Sequence, residues 1–383
     1  MSVLFICACC VLAAVATADY SFLTLGDWGG AAISAQDKQN VYAVADQMAK
    51  TATDLNPAFI VNTGDNFYWC GIQNTSDSQI QTDFELPYGT QDSLADLDWY
   101  SVLGNHEYGY NVQAQIDYSM NNSHWIMPDR YYTKRIEASS EKGVHISFIM
   151  LDTSPCVAQY REDDPANWDP CNVDYPTCSL SATDDDFEGS CNFHENIMTQ
   201  SCDTQWKWFQ ESLDAVPAGD WLVVIGHHPI DEVNVFDFTS RLQNREGGFS
   251  IYLNGHAHTL TQYMIDGKGA YVTSGAGSLV DTPDQMNEIT RKKVLGEKEI
   301  TVDGSIGLLT HSDADTNTDT DKERKLGDSK YNNHTYQTVF NLKVAGFTSH
   351  TFNSDFTQLT TNFISYDGEN IHSFAVYKDG TFV

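Results

Sequence analysis

Five short apolar runs in this chain each stop at a glycine that is followed at once by an aspartate, asparagine or histidine. "FLTL" leads into Gly26-Asp27, and "FIVNT" leads into Gly64-Asp65. "WYSVL" leads into Gly104-Asn105-His106, "WLVVI" into Gly226-His227-His228, and "SIYLN" into Gly255-His256-Ala257-His258. These runs are rich in Val, Ile, Leu and aromatics and scarcely alternate with polar residues, as expected of strands covered on both faces. Helix-like stretches such as "AQDKQNVYAVADQMAKTATDL" and "DTQWKWFQESLDAV" lie between them. Alternation of this kind predicts an α/β fold whose functional groups gather at the carboxyl ends of the strands. "GVHISFIMLDT" and "GAYVTSGAGS" add two similar strands, and the tail from Tyr336 to Val383 reads as closing antiparallel hairpins with turns at "DGEN" and "KDGT".

Residues 1–18, "MSVLFICACCVLAAVATA", carry no charged side chain and end in Ala16-Thr17-Ala18. They read as a cleaved secretory signal without a basic leading region. No later apolar run reaches the roughly 18 residues that a membrane helix needs. Beyond the leader stand Cys70, Cys156, Cys171, Cys178, Cys191 and Cys202. An even number of cysteines on a secretory route points to disulfides. The crowding of all but Cys70 between 156 and 202 points to a stapled surface insertion over about 156–204, and zinc has no CxxC pair to hold it. Sequons at Asn74, Asn121 and Asn333 fit the same route. Residues 281–335 are polar and read as a flexible loop, in which "DADTNTDTD" lacks the glycine and closing glutamate of an EF-hand.

The formal charge of −32, from 53 acidic against 21 basic residues, argues against nucleic acid and anionic membrane as partners. It also sets a problem for any phosphate substrate, which only a strong local positive charge could solve. Asp27, Asp65, Asn105, His227, His256 and His258 are oxygen and nitrogen donors on five separate strand ends, the supply that a metal centre needs from a rigid scaffold. Singly, each has a plainer use as a helix cap, a turn residue or a hydrogen-bonded histidine. Jointly they point to a metal site. Tyr68, in "TGDNFYWCG", is open on its own: it packs beside Phe67 and Trp69, or it aims a phenol at whatever Asp65 touches.

The blocks "GDWG", "GDNFY", "GNHE", "GHHP" and "GHAH", in this order, resemble the five motifs of the metallophosphoesterases, and specifically of the small, tartrate-resistant type of purple acid phosphatase. The resemblance covers about residues 20–280. It implies two mixed β-sheets packed face to face and flanked by helices, a four-layer αββα sandwich, in a single catalytic domain over 19–383. Wider relatives carry a metal-binding histidine two residues after the first aspartate; here that position is Gly29, and Tyr68 takes its place, as in the purple branch. Carried over residue by residue, Asp27, Tyr68 and His258 hold the first metal, Asn105, His227 and His256 the second, and Asp65 bridges them. Hard anionic oxygens favour Fe(III) in the first site, while imidazoles and an amide suit Fe(II), Zn or Mn in the second. Three anionic donors against a trivalent and a divalent ion leave a positive charge of about two, the local charge that the acidic chain otherwise lacks.

The resemblance further implies a secreted, monomeric acid phosphatase that cleaves phosphomonoesters and releases inorganic phosphate, with a lysosome-like or vacuolar lumen as the alternative compartment. His106 protonates the leaving oxygen or stabilises the transition state; its other reading is a histidine that orients the carboxylates. His228 stands where mammalian-type enzymes usually have tyrosine, and either lines the pocket or makes structural hydrogen bonds. A further family histidine falls on Phe236 here. Cys156 resembles a family cysteine whose usual partner is absent, so pairing within 156–202 is expected. A nucleotide- or diester-specific enzyme and a non-catalytic metal-binding protein are the competing functions.

Overall fold

The computed structural model describes residues 20–31, 33–164, 167–171, 191–280 and 334–383. The leader, Cys178, Asn333, most of the 281–335 loop and much of the insertion lie outside them. Among the described residues, fourteen strands form two seven-stranded sheets. The first contains β1 (Ser21–Leu25), β2 (Ile60–Asn62), β3 (Trp99–Ser101), β4 (Trp125–Ile126), β12 (Gly346–Phe352), β13 (Leu359–Ser365) and β14 (Asn370–Val376), in the order β14-β13-β12-β1-β2-β3-β4. The second contains β5 (Tyr132–Ser139), β6 (Val144–Met150), β7 (Trp221–Ile225), β8 (Ile251–Asn254), β9 (Leu260–Ile265), β10 (Lys268–Ser274) and β11 (Tyr336–Leu342), in the order β11-β9-β10-β8-β7-β6-β5.

Both sheets are mixed. β1 to β4 run parallel, as do β6, β7, β8 and β10, and antiparallel strands flank each set. The pairing brings Leu25 beside Asn62 and Asn62 beside Ser101, and in the other sheet Ile225 beside Leu253. Five of the parallel strands therefore end along one rim, and the five glycine-led loops leave from it.

Side-chain alternation explains why these strands are apolar throughout. Along β7, Trp221, Val223 and Ile225 enter the core between the sheets with Phe22, Val61 and Phe352. Leu222 and Val224 point the other way, onto Phe209 and Leu213 of the helix Cys202–Ala215. Likewise Phe22 faces the inter-sheet core, while Leu23 and Leu25 meet Val41, Val44, Ala45 and Met48 of α1 (Ala35–Leu55). Ser34 caps α1, its hydroxyl accepting the Asp37 N–H at 3.1 Å, and Asn56 ends it in the left-handed region at φ 48°. These layers make up the expected sandwich.

Two disulfides lie among the described residues of the insertion. Cys156–Cys202 and Cys171–Cys191 pair within it as expected, but Cys156 and Cys202 are buried and pack with the helix that covers the second sheet. Cys70, far away in sequence, is disulfide-bonded too, so the cross-links are not confined to the insertion.

Asp83 fastens the first loop from below. Its Oδ1 accepts the Ala31 N–H at 2.8 Å, while Oδ2 is buried with no partner among the described residues. Burial pushes this carboxyl up to about 7. A carboxyl raised on folding stabilises the fold at low pH and loses that contribution as pH climbs through the raised value. The unfolding free energy of Asp83→Asn should therefore match wild type near pH 4 and exceed it at pH 7.5 by about 2–4 kcal/mol, read from urea titrations at each pH.

Candidate metal centre

Each strand end delivers its donor through a turn that has no room for a larger residue. A Cβ at Gly104 would lie 2.1 Å from Asp65 Oδ1, and one at Gly255 would lie 2.2 Å from Asp27 Oδ2. Asp27, Asp65 and His256 themselves sit at positive φ, 55°, 50° and 70°, a region that non-glycine residues enter only when the surroundings enforce it. Enforcement is visible in the hydrogen bonds: the Asp27 N–H donates to the Gly64 carbonyl at 2.9 Å, and the His256 N–H donates to the Asp27 carboxylate at 2.9 Å.

All seven expected ligands come together. The Tyr68 hydroxyl lies 3.1 Å from Asp27 Oδ1, 3.3 Å from Asp65 Oδ2 and 3.1 Å from His258 Nε2. On the other side of Asp65, Asn105 Oδ1 lies 2.9 Å from both His227 Nε2 and His256 Nδ1, and His227 Nε2 lies 3.1 Å from Asp65 Oδ2. Asp65 thus stands between an oxygen-rich group and an imidazole-rich group. Gly29 accounts for the prominence of Tyr68: a Cβ there would lie 2.0 Å from the Asn66 carbonyl oxygen, so no histidine fits that position.

The donor set fits a pair of cations. One phenolic O–H faces three acceptors and can serve only one, which leaves lone pairs converging on a buried point. Burial pushes Asp27 up to about 8, with Asp65 adding to the push against the nearby histidines. Burial would raise Asp65 as well, but His227 and His106 hold it below the usual carboxylate range. Tyr68 is driven well above the phenol range by burial and by both carboxylates. His227 resists its burial and rises to about 9 because Asp65 faces it. Without a cation the cluster holds protons where a metal would displace them. The Nδ1–H of His227 donates to the Thr63 carbonyl at 2.9 Å, so once metallated it would present a lone pair at Nε2.

His106 enters from the same rim. Its Nδ1–H donates to the Trp69 carbonyl at 2.6 Å, and its Nε2 faces Asp65 Oδ2 at 3.9 Å. The cavity above the centre, about 340 Å³, is lined by Asp65, Asn105, His106, His256 and His258 on one side and by Gln159, Tyr160, Trp168 and Glu232 on the other. His228 is fully buried, with Thr153 Oγ1 at 2.8 Å from Nδ1 and Tyr160 Oη at 3.2 Å from Nε2, and its ring lies 4.3 Å from that of His256. Both nitrogens being engaged, the structural reading of His228 is the one the geometry supports. Phe236 stacks on Trp206 at 5.5 Å and does not line the cavity; Glu232, 3.6 Å from His256 Nε2, does.

Glu107 is the residue that the sequence reading missed. Buried beside His106, its carboxylate accepts the backbone N–H groups of Gly104 at 2.6 Å, Asp65 at 3.1 Å, Asn66 at 2.8 Å and Phe67 at 3.1 Å. It locks the loops that carry Asp65, Tyr68 and Asn105 to one another. The following Tyr108 donates to Asp152 at the end of β6, and Arg130 donates to the Tyr108 hydroxyl at 2.8 Å, extending the bracing to the second sheet. The "GNHE" block held the signal in its glutamate, which was read only as part of a motif. Glu107→Gln turns amide hydrogens toward N–H donors and should cost about 2–4 kcal/mol in denaturant unfolding. Metal content of the purified variant should fall with it.

Comparison with known proteins agrees with this geometry. Residues 20–260 match the calcineurin-like phosphoesterase family model. Tartrate-resistant acid phosphatase type 5 of Homo sapiens is 30% identical over 277 residues, covering 70% of this chain and 76% of that protein. Purple acid phosphatase 7 of Arabidopsis thaliana is 30% identical over 265 residues, covering 67% of this chain and 70% of its own length. A solved structure of GAP50, the anchor in the inner membrane complex of Plasmodium, superposes with a TM-score of 0.58 over 94% of this chain and 89% of that one; at 17% identity it shows a shared fold alone. With five glycine-led strand ends gathered on one rim, and with these relatives, the chain belongs to the purple acid phosphatases of the calcineurin-like phosphoesterase family and is a phosphatase.

Proposed function

We propose that this protein is a secreted acid phosphatase that hydrolyses phosphate monoesters at a binuclear centre, with Fe(III) in one site and Fe(II), Zn or Mn in the other. The observation that carries the reading is the placement of Asp65 between Asp27, Tyr68 and His258 on one side and Asn105, His227 and His256 on the other. When bound, the two ions would supply positive charge for the phosphate oxygens and activate the water whose hydroxide attacks phosphorus.

The chain's own residues do the rest. Asp27, Asp65 and Tyr68 supply anionic oxygens to the first site, a donor set that selects a hard trivalent ion. Asn105, His227 and His256 offer neutral donors to the second. The carbonyls of Thr63 and Trp69 fix the tautomers of His227 and His106. With Nδ1–H held by the Trp69 carbonyl, His106 gives a proton from Nε2 to the leaving alkoxide only as the imidazolium, a state that burial disfavours and the facing Asp65 supports. A leader at 1–18 and one catalytic domain over 19–383 complete the reading. Glycans are assigned to exposed Asn74, whose Oδ1 accepts the Ser76 N–H at 2.8 Å, to exposed Asn121 at the end of the helix Val112–Asn121, and to Asn333 outside the described residues.

Two variants test this. Wild type should show a visible phenolate-to-iron band, and Tyr68→Phe should bleach it; a colourless, iron-free, fully active wild type contradicts the assignment. His106→Ala should keep its metals and lose about 10²–10⁴-fold in kcat on alkyl phosphates with poor leaving groups. Unchanged turnover would reduce His106 to orienting the carboxylates. A monoester should be cleaved far faster than the corresponding diester across acid pH; the reverse order favours the diesterase alternative.

A further inference from the structure

The cavity over the metal centre borders a second one of about 400 Å³, and the two share Gln159, Tyr160 and Trp168 as lining. The Trp168 ring meets that of His106 at 5.0 Å and 69°, and Tyr160 and Phe193 complete an aromatic wall at 5.8 and 5.2 Å from it. Past this wall, Glu162, Asp163, Asp164 and Asp169 line the second cavity. No lysine or arginine is among its described lining residues, and the Nδ1 of His194, the one base there, faces the Tyr160 carbonyl at 3.2 Å. The sequence extends the pattern: residues 156–204 contain eleven acidic residues, one arginine and no lysine. That arginine, Arg161, is turned to the carbonyls of Pro155, Ile197 and Gln200. Glu232 adds a further carboxylate over the centre.

His106 and Trp168 line the same cavity with their rings 5.0 Å apart, so an alcohol leaving beside His106 is within reach of the Trp168 ring that borders the second cavity. We propose that the adjoining cavity is the alcohol subsite and selects phosphate monoesters whose alcohol carries a positive charge, quaternary ammonium alcohols such as that of phosphocholine above all. This rests on the phosphomonoesterase reading and on His106 as the proton donor. Aromatic faces attract a weakly hydrated cation through their quadrupoles, and carboxylates beyond them add Coulomb attraction without desolvating it fully. The same carboxylates repel alcohols that bear a second phosphate or a carboxylate. The phosphate itself is drawn by the metal pair, so the two ends of such a substrate are recognised by opposite charges.

The test compares kcat/KM of the metal-loaded protein for phosphocholine, for its neutral isostere 3,3-dimethylbutyl phosphate and for p-nitrophenyl phosphate. Phosphocholine should exceed the isostere by about 5–30-fold at low ionic strength. The ratio should shrink in about 0.5 M NaCl, because Glu162, Asp163 and Asp164 are exposed. It should also fall in Trp168→Leu and in the surface double variant Asp163→Asn with Asp164→Asn, which keeps the test open if the tryptophan variant misfolds. Turnover of p-nitrophenyl phosphate and of the isostere without preference for phosphocholine overturns the selectivity alone, as does a preference indifferent to salt and to the variants. Inertness toward all three substrates contradicts the phosphomonoesterase reading itself.

Discussion

Two buried carboxyls and a buried phenol, those of Asp27, Asp65 and Tyr68, share one point, with the phenolic oxygen 3.1 and 3.3 Å from the two carboxylates. Like charges at such distances cannot all ionise in a dry interior, so without a cation the cluster holds protons, on Asp27 and Tyr68 in particular. A bound cation would reverse the balance, since the groups that repel one another all attract it. The rest of the rim can be understood as the structure needed to hold acidic oxygens where they are least stable alone.

That holding is done by backbone. Parallel strands in both sheets end side by side, and the turns after them are so tight that a Cβ at Gly104 or Gly255 would strike a ligand carboxylate. Asp27 is tied through its carboxylate to the His256 N–H and through its own N–H to Gly64, linking three of the five loops. Glu107 adds the Gly104 loop by tying it to the Gly64 loop through four accepted N–H groups, so a third buried carboxylate is held by peptide dipoles instead of metal. Buried polar groups satisfied in this way make the site rigid, which is what allows the donors to be placed in advance of their ligand.

Much of this was legible in the sequence, for identifiable reasons. Strands covered on both faces read as continuous apolar runs, so β1, β7 and β8 were plain, and their glycine-led ends announced the donors. β5 was not: seven of its eight residues, "TKRIEAS", are at least partly exposed on a sheet edge, where charged side chains guard against further pairing and erase the apolar signal. Tyr68 could be read only with Gly29, because locally it is one aromatic among three. His228 and Phe236 stayed undecided because their neighbours, Thr153, Tyr160 and Trp206, come from distant parts of the chain. The anchoring of the insertion was not legible, since composition shows its acids and cysteines but not that Cys156 and Cys202 are buried in the core.

A chain with a formal charge of −32 that binds phosphate needs its positive charge concentrated, and the rim offers one place for it. The binuclear assignment rests on that concentration, and metal analysis of the purified protein alongside turnover of a phosphate monoester addresses it most directly. The account predicts about two metal ions per chain, one of them iron, with turnover falling in proportion as either ion is removed. Full turnover by protein that carries less than about one metal ion per chain would contradict it.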